Sequence, residues 1–185
     1  LNSEDKQLSL NNAICSSGCS IVCLQETKKT SFDLHFIRSC CPRQFDKFAF
    51  VPSNGASGGL IAIWKSSVFS GSVVSSDPYV LVVDFTSTQS AQKWTLANIY
   101  GPCSGDAWTE FTNWLYALHI PSNQDWLLLG DFNYISAPDN PNKPGGFPND
   151  MITFNDIICS QNLIELPFKG RSFTWSNMQQ EPLLE

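Results

Sequence analysis

Three apolar runs of the sequence each end in polar side chains that a hydrophobic core does not need. The runs are SIVCL, KWTLANIY and DWLLLG, and the polar residues at their ends include Glu26, Asn98, Tyr100, Asp131 and Asn133. Polar groups at the carboxyl ends of strands in α/β sheets often meet in one crevice. We therefore expect these side chains to form an oxygen-rich pocket, which would suit Mg²⁺ or Mn²⁺ better than zinc.

Each of these residues also has a purely structural interpretation. A glutamate after a strand, such as Glu26, is most often a solvated turn residue. Asp131 and Asn133 could form turns, because Asp and Asn side chains bond their own backbone. Tyr100 could pack in the core with its hydroxyl at the surface. Taken singly, the residue types leave both interpretations open.

Length, composition and charge limit the class of protein. The 185 residues suit a single domain over 1–185, which would bury roughly 70% of its unfolded surface. Hydrophobic residues make up 42% and charged residues 15%, which excludes a disordered chain and a coiled coil. The formal net charge of −6 argues against binding nucleic acid by bulk electrostatics. DNA binding would need a local basic strip or a metal ion.

The cysteine pattern argues against both a disulfide framework and a zinc site. Seven cysteines cannot all pair within one chain. Cys15, Cys19 and Cys23 fall four apart, but this spacing crosses a predicted boundary between a helix and a strand. We expect reduced, small apolar side chains in an intracellular protein without a membrane span.

Apolar periodicity and breaker residues define the elements that must position the polar residues. Helices are predicted over Glu4–Ser17, 31–40, 106–119 and 151–161. Strands are predicted over 20–24, 45–51, Leu60–Trp64, 68–75, 79–87, Lys93–Tyr100, 125–129 and 172–175. The Pro/Gly/Asn-rich stretch 137–149 is predicted to be a loop. This order predicts an α/β sandwich of two mixed, mostly antiparallel sheets with flanking helices.

Four short motifs occur along the chain in a fixed order. They are LQET at 24–27, NIYGP at 98–102, GDFN at 130–133 and FTW at 173–175. Together they resemble the endonuclease/exonuclease/phosphatase superfamily, which implies a DNase I-like fold. ASGGLIAIW and FTWSN resemble the endonuclease domain of plant LINE-type, non-LTR retrotransposons. The resemblance covers essentially the whole chain.

The resemblance implies a role for the residues of each motif. Glu26 would be the ligand of the divalent cation, Mg²⁺ or Mn²⁺. Tyr100 would contact the scissile phosphate, while Asp131 and Asn133 would orient the attacking water and the phosphate. The implied reaction is phosphodiester hydrolysis that nicks DNA in the nucleus. In such a reaction an ionised aspartate aligns or deprotonates the water, and the cation neutralises transition-state charge.

Two further residues would support the site by resemblance. Asn98 would hold Tyr100 through hydrogen bonds in the pocket, and Thr174 would contact the phosphate or a neighbouring group. An N-terminal catalytic asparagine and a C-terminal Ser-Asp-His of the family are absent from these 185 residues. We therefore expect a domain that is incomplete at both ends and weakly active or inactive.

Two other functions remain open on the sequence. One is a catalytically dead remnant, or a domesticated module that binds nucleic acid or another protein. The other is a phosphatase or lipid phosphodiesterase of the same superfamily. The SGGL and TWSN motifs disfavour this function.

Overall fold

A computed structural model describes residues 3–55, 57–102, 106–121, 123–133 and 148–166. Its elements are α1 (Glu4–Ser17), β1 (Ile21–Leu24), α2 (Leu34–Cys40), β2 (Lys47–Val51), β3 (Leu60–Trp64), β4 (Phe69–Asp77), β5 (Val80–Ser87), β6 (Lys93–Tyr100), α3 (Asp106–Ala117), β7 (Asp125–Asp131) and α4 (Pro148–Ser160). The chain divides into two compact units. The first takes its described residues from Leu1–Pro102 and Ile120–Phe132, and the second from Cys103–His119 and Asn133–Glu185.

The first unit contains a three-stranded sheet with the order β1-β3-β2. Both pairings are antiparallel, and Ala62 of β3 lies opposite Cys23 on one side and Ala49 on the other. All five residues of β3 are buried. A continuous apolar run such as LIAIW therefore forms the centre of the sheet, because a strand covered on both faces has no polar face.

The second sheet of the first unit has the order β4-β5-β6-β7. The first two pairings are antiparallel, whereas β6 and β7 are parallel. Their register extends from Trp94 opposite Asp125 to Tyr100 opposite Asp131. A parallel pair needs a long crossover connection, and the chain between these two strands includes α3. Both strands consequently end at the same edge of the sheet.

The two sheets face each other across a hydrophobic core. Ala62 of β3, Phe85 of β5 and Leu96 of β6 belong to one buried cluster between them. On the other face of the first sheet, Ile61 packs in a second cluster with Ile37 of α2. The first unit is thus layered as helices, sheet and sheet, which confirms the predicted α/β sandwich.

The second unit contains α3 and α4. Phe111 and Leu115 of α3 and Ile157 of α4 are fully buried. The side-chain amide of Gln161 donates a hydrogen bond to the Tyr116 carbonyl at 3.0 Å. None of the described helices is long and apolar enough to cross a membrane.

Several predicted boundaries shift for local reasons. The second helix begins at Leu34 rather than near Ser31, because the Asp33 side chain caps it by accepting from the Phe36 N–H at 2.7 Å. The last helix begins at Pro148, inside the stretch predicted as a loop, since proline favours the first turn of a helix. The rest of that loop, 137–147, and the predicted strand 172–175 lie outside the described residues.

Candidate active site

The ends of β6 and β7 bring two of the predicted site residues side by side. Tyr100 and Asp131 form the last pair of the parallel register. The backbone N–H of Gly101 donates to the Asp131 carbonyl at 2.7 Å, which fixes the exit of both strands. Tyr100 and Leu129 pack against the cluster between the sheets. Asp131, the last residue of β7, is exposed.

Asn98 links the second sheet to the first. Its side chain is fully buried. The side-chain amide donates to the Ile61 carbonyl of β3 at 3.1 Å and to the Leu24 carbonyl of β1 at 3.4 Å. Its side-chain oxygen accepts from the Gln25 amide at 2.5 Å. Asn98 therefore uses both ends of its amide to hold the end of β1 beside β6.

Glu26 follows β1 in an uncommon backbone conformation. Its φ is 52°, in the left-handed region. The side chain is 49% exposed, and its carboxylate lies 3.5 Å from the Lys28 ammonium. An exposed ion pair of this kind adds little stability, so the carboxylate can exchange this partner for another cation at small cost.

The backbone after Glu26 is anchored to the loop before β3. The Thr27 N–H donates to the Gly59 carbonyl and the Lys28 N–H donates to the Gly58 carbonyl, both at 3.1 Å. Together with the Asn98–Gln25 hydrogen bond, these contacts place Glu26 at the same end of the sandwich as Tyr100 and Asp131.

The structure thus gathers Glu26, Asn98, Tyr100 and Asp131 at one end of the first unit. Asn133 belongs to the second unit and has a φ of 53°. Thr174 lies outside the described residues.

Sequence reasoning missed three contributors to this arrangement. Gln25 pairs with Asn98, and the carbonyls of Gly58 and Gly59 hold the backbone after Glu26. All three residues stand inside the LQET and ASGGLIAIW motifs. The motifs singled out the right segments, but the sequence carries no signal for which backbone groups would meet.

The donor set decides which metal could bind here. Within the described ranges, no group of three or more His, Cys, Asp or Glu side chains is arranged to hold a metal ion. Mg²⁺ commonly keeps several waters and binds through one or two carboxylates together with substrate phosphates. The accessible Glu26 carboxylate fits that mode and does not fit a closed structural site.

Cys23, in the strand that precedes Glu26, is an unsuitable metal ligand. Burial raises the pKa of this thiol to about 12. Metal coordination by cysteine requires the thiolate, which is scarce at neutral pH when the pKa is this high. Burial therefore disfavours Cys23 as a metal ligand.

No protein-family model matches the sequence. A search of curated proteins also finds no match. Solved structures, in contrast, are similar over most of the chain. The AP endonuclease LMAP from Leishmania major is 18% identical, with a TM-score of 0.60, over 85% of this chain and 62% of that one. The Xenopus laevis APE2 catalytic domain is 18% identical, with a TM-score of 0.59, over 80% of this chain and 62% of that one.

The human Nocturnin catalytic domain has a TM-score of 0.53 at 12% identity, over 86% of this chain and 64% of that one. All three structures belong to the endonuclease/exonuclease/phosphatase superfamily. The chain has the DNase I-like fold. It spans less than two thirds of the length of each of these structures. At these identities the likeness concerns the DNase I-like fold alone, and the link to LINE-type endonucleases stays a prediction.

Proposed function

We propose that this chain hydrolyses phosphodiester bonds with the help of Mg²⁺ or Mn²⁺ and nicks DNA as the endonuclease of a retrotransposon-derived protein, in the nucleus. The observation that carries the proposal is the convergence of Glu26, Tyr100 and Asp131 at one end of the first unit. A carboxylate for a cation, a second carboxylate for water and a phenol for the phosphate are the groups that this reaction needs.

Asp131 and Tyr100 supply the chemistry at the phosphate. Adjacent strands lie about 4.8 Å apart, a separation that one phosphate and its attacking water can span. The Asp131 carboxylate aligns the water or accepts its proton, and the Tyr100 hydroxyl donates a hydrogen bond to a phosphoryl oxygen. For Asn133 and Thr174, a contact with the phosphate stays a prediction from the motifs. Asn98 holds the arrangement from within the core and does not touch the substrate.

Glu26 would hold the cation, which neutralises charge on the phosphoryl oxygens when bound. Lys28 adds a second positive group next to that carboxylate. Local cations matter in this chain because its net charge of −6 repels polyanions at a distance. The approach of DNA would therefore rely on Lys28 and on the bound cation.

Phosphatases also have the DNase I-like fold, so the class of substrate is inferred from the amino-acid sequences of the motifs. SGGL and TWSN are similar to the retrotransposon endonucleases rather than to the lipid and inositol phosphatases. The other alternative is a remnant without catalytic activity. The test below distinguishes the proposed nuclease from the phosphatase and from this remnant.

Replacing Glu26 by glutamine removes one charge and keeps the size of the side chain. We expect the wild-type chain to nick supercoiled plasmid slowly in Mg²⁺ and the variant to be slower by roughly 100-fold, about 2.7 kcal/mol of transition-state stabilisation. The measurement is the rate of conversion to open-circular DNA across a Mg²⁺ titration.

Glu4→Gln is the matched control, since Glu4 is an exposed glutamate of α1 in the same unit. It should nick as the wild type does. The proposal is wrong if Glu26→Gln and wild type nick equally. It is also wrong if the wild-type chain leaves the plasmid intact, whether or not it releases phosphate from inositol phosphates.

A further inference from the structure

Gly59, just before β3, closely approaches the loop that follows β1. Its φ is +90°, which L side chains rarely adopt. A Cβ at this position would overlap the Thr27 hydroxyl oxygen and lie 3.3 Å from Ser53. Both the backbone conformation and the space therefore require glycine here.

Thr27 is held against Gly59 by its side chain and its backbone. The residue is only 2% exposed, and its hydroxyl finds no hydrogen-bond partner among the described residues. Its N–H donates to the Gly59 carbonyl at 3.1 Å. A buried hydroxyl without a partner costs free energy. The Thr27 side chain thus contributes packing against the bare Cα of Gly59.

The residues on either side of Thr27 are both strained. Glu26 has a φ of 52° and Lys28 a φ of 55°. A left-handed conformation is unfavourable for a non-glycine residue. Such strain persists only where the surroundings over-determine the backbone. Thr27 lies between the two, and its packing and its N–H bond to the Gly59 carbonyl hold the backbone there.

We propose that the packing of Thr27 against the bare Cα of Gly59 positions the Glu26 carboxylate for a divalent cation. Gly59 is then a positioning residue of the hydrolytic site, 33 positions along the chain from the carboxylate that it orients. This inference rests on the proposed function, because it takes Glu26 to be the ligand of the cation.

The test measures Mn²⁺ binding directly, from the electron paramagnetic resonance signal of the free ion during titration of the full chain. Gly59→Ala is expected to weaken Mn²⁺ binding by about tenfold, the effect typical of losing a group that orients a ligand. Thr27→Ala removes the packing without adding a clash and should weaken binding by about threefold. When Thr27 is already alanine, Gly59→Ala should lower the Mn²⁺ affinity by at most about a further threefold. The effects of substitutions at two contacting residues do not add.

Gly18→Ala is the matched control for backbone strain. Gly18 has a φ of +66°, and a Cβ there would meet nothing within 4 Å. It caps α1, so this variant should lose stability in urea while its Mn²⁺ affinity stays at the wild-type value.

The outcomes separate the two proposals. If the wild-type chain does not bind Mn²⁺, or if Glu26→Gln binds it equally well, the proposed function is wrong. If Glu26→Gln loses binding while Gly59→Ala and Thr27→Ala retain it, the function stands and the positioning role is wrong. The positioning role is also wrong if Gly59→Ala lowers the Mn²⁺ affinity by the same factor in the wild-type chain and in the Thr27→Ala variant. Should Gly59→Ala not fold, Thr27→Ala alone decides, since wild-type affinity in that variant contradicts the inference.

Discussion

Gly130→Ala is expected to destabilise the protein by about 3–5 kcal/mol, from backbone strain and steric overlap together. Gly130 has a φ of +136°, and a Cβ there would overlap the Ile99 carbonyl oxygen. It would also lie 2.8 Å from the Ile99 carbonyl carbon and 2.9 Å from its nitrogen. These are backbone atoms of β6 in register with Gly130, so relief requires the two strands to separate. The free energy of unfolding in urea measures the loss.

Gly55→Ala is the control for this prediction. Gly55 has a φ of +59°, but a Cβ there would meet nothing within 4 Å. This variant should lose only the conformational cost of about 1–2 kcal/mol. Equal losses in the two variants would contradict the steric account. Because Gly130 precedes Asp131, the account also predicts that whatever Gly130→Ala protein remains folded nicks DNA more slowly.

Asn98→Asp is expected to destabilise the protein by about 3 kcal/mol or more at neutral pH, because it buries a negative charge against two carbonyl oxygens and leaves the neutral Gln25 amide to stabilise it. The aspartate has the same shape but loses the two N–H donors. Its carboxylate would face the Leu24 and Ile61 carbonyl oxygens, which are themselves acceptors. Urea unfolding at several pH values measures the effect.

The pH dependence of Asn98→Asp has a definite sign. Burial beside the Leu24 and Ile61 carbonyl oxygens raises the pKa of the new carboxyl group above its value in the unfolded chain. The folded state then binds the proton more tightly, so the variant gains stability relative to wild type as the pH falls. Asn12→Asp, on the exposed face of α1, should show no such recovery. A pH-independent difference between Asn98→Asp and wild type would contradict the buried position of Asn98.

Local signals in the sequence predict much of the fold. The helix predicted over Glu4–Ser17 is confirmed, with Ser3 as its N-cap and Gly18 as its C-cap. The strand Lys93–Tyr100 was predicted from its apolar run and is also confirmed. The strand predicted over 125–129 extends instead to Asp131, because its parallel pairing with β6 continues to Tyr100. The length of β7 is therefore set by its pairing with β6, and the residues of β7 alone carry no information about that pairing.

The candidate site was predictable only in part. Glu26, Tyr100 and Asp131 could be picked out because polar residues end three apolar runs. The hydrogen bond of Asn98 to Ile61 joins residues 37 positions apart, and its bond to Gln25 joins residues 73 apart. Such contacts depend on how the two sheets pack against each other. The spacing of residues within one strand does not predict that packing.

Hydrolysis is proposed to take place at the end of the sandwich where β6 and β7 stop. The most direct test compares plasmid nicking in Mg²⁺ by Asp131→Asn and Asp125→Asn, two exposed aspartates at opposite ends of β7. We predict that Asp131→Asn slows nicking by roughly 100-fold or more, as expected for loss of a general base, while Asp125→Asn nicks as the wild type does. Equal nicking by the two variants, or a loss confined to Asp125→Asn, would contradict the account.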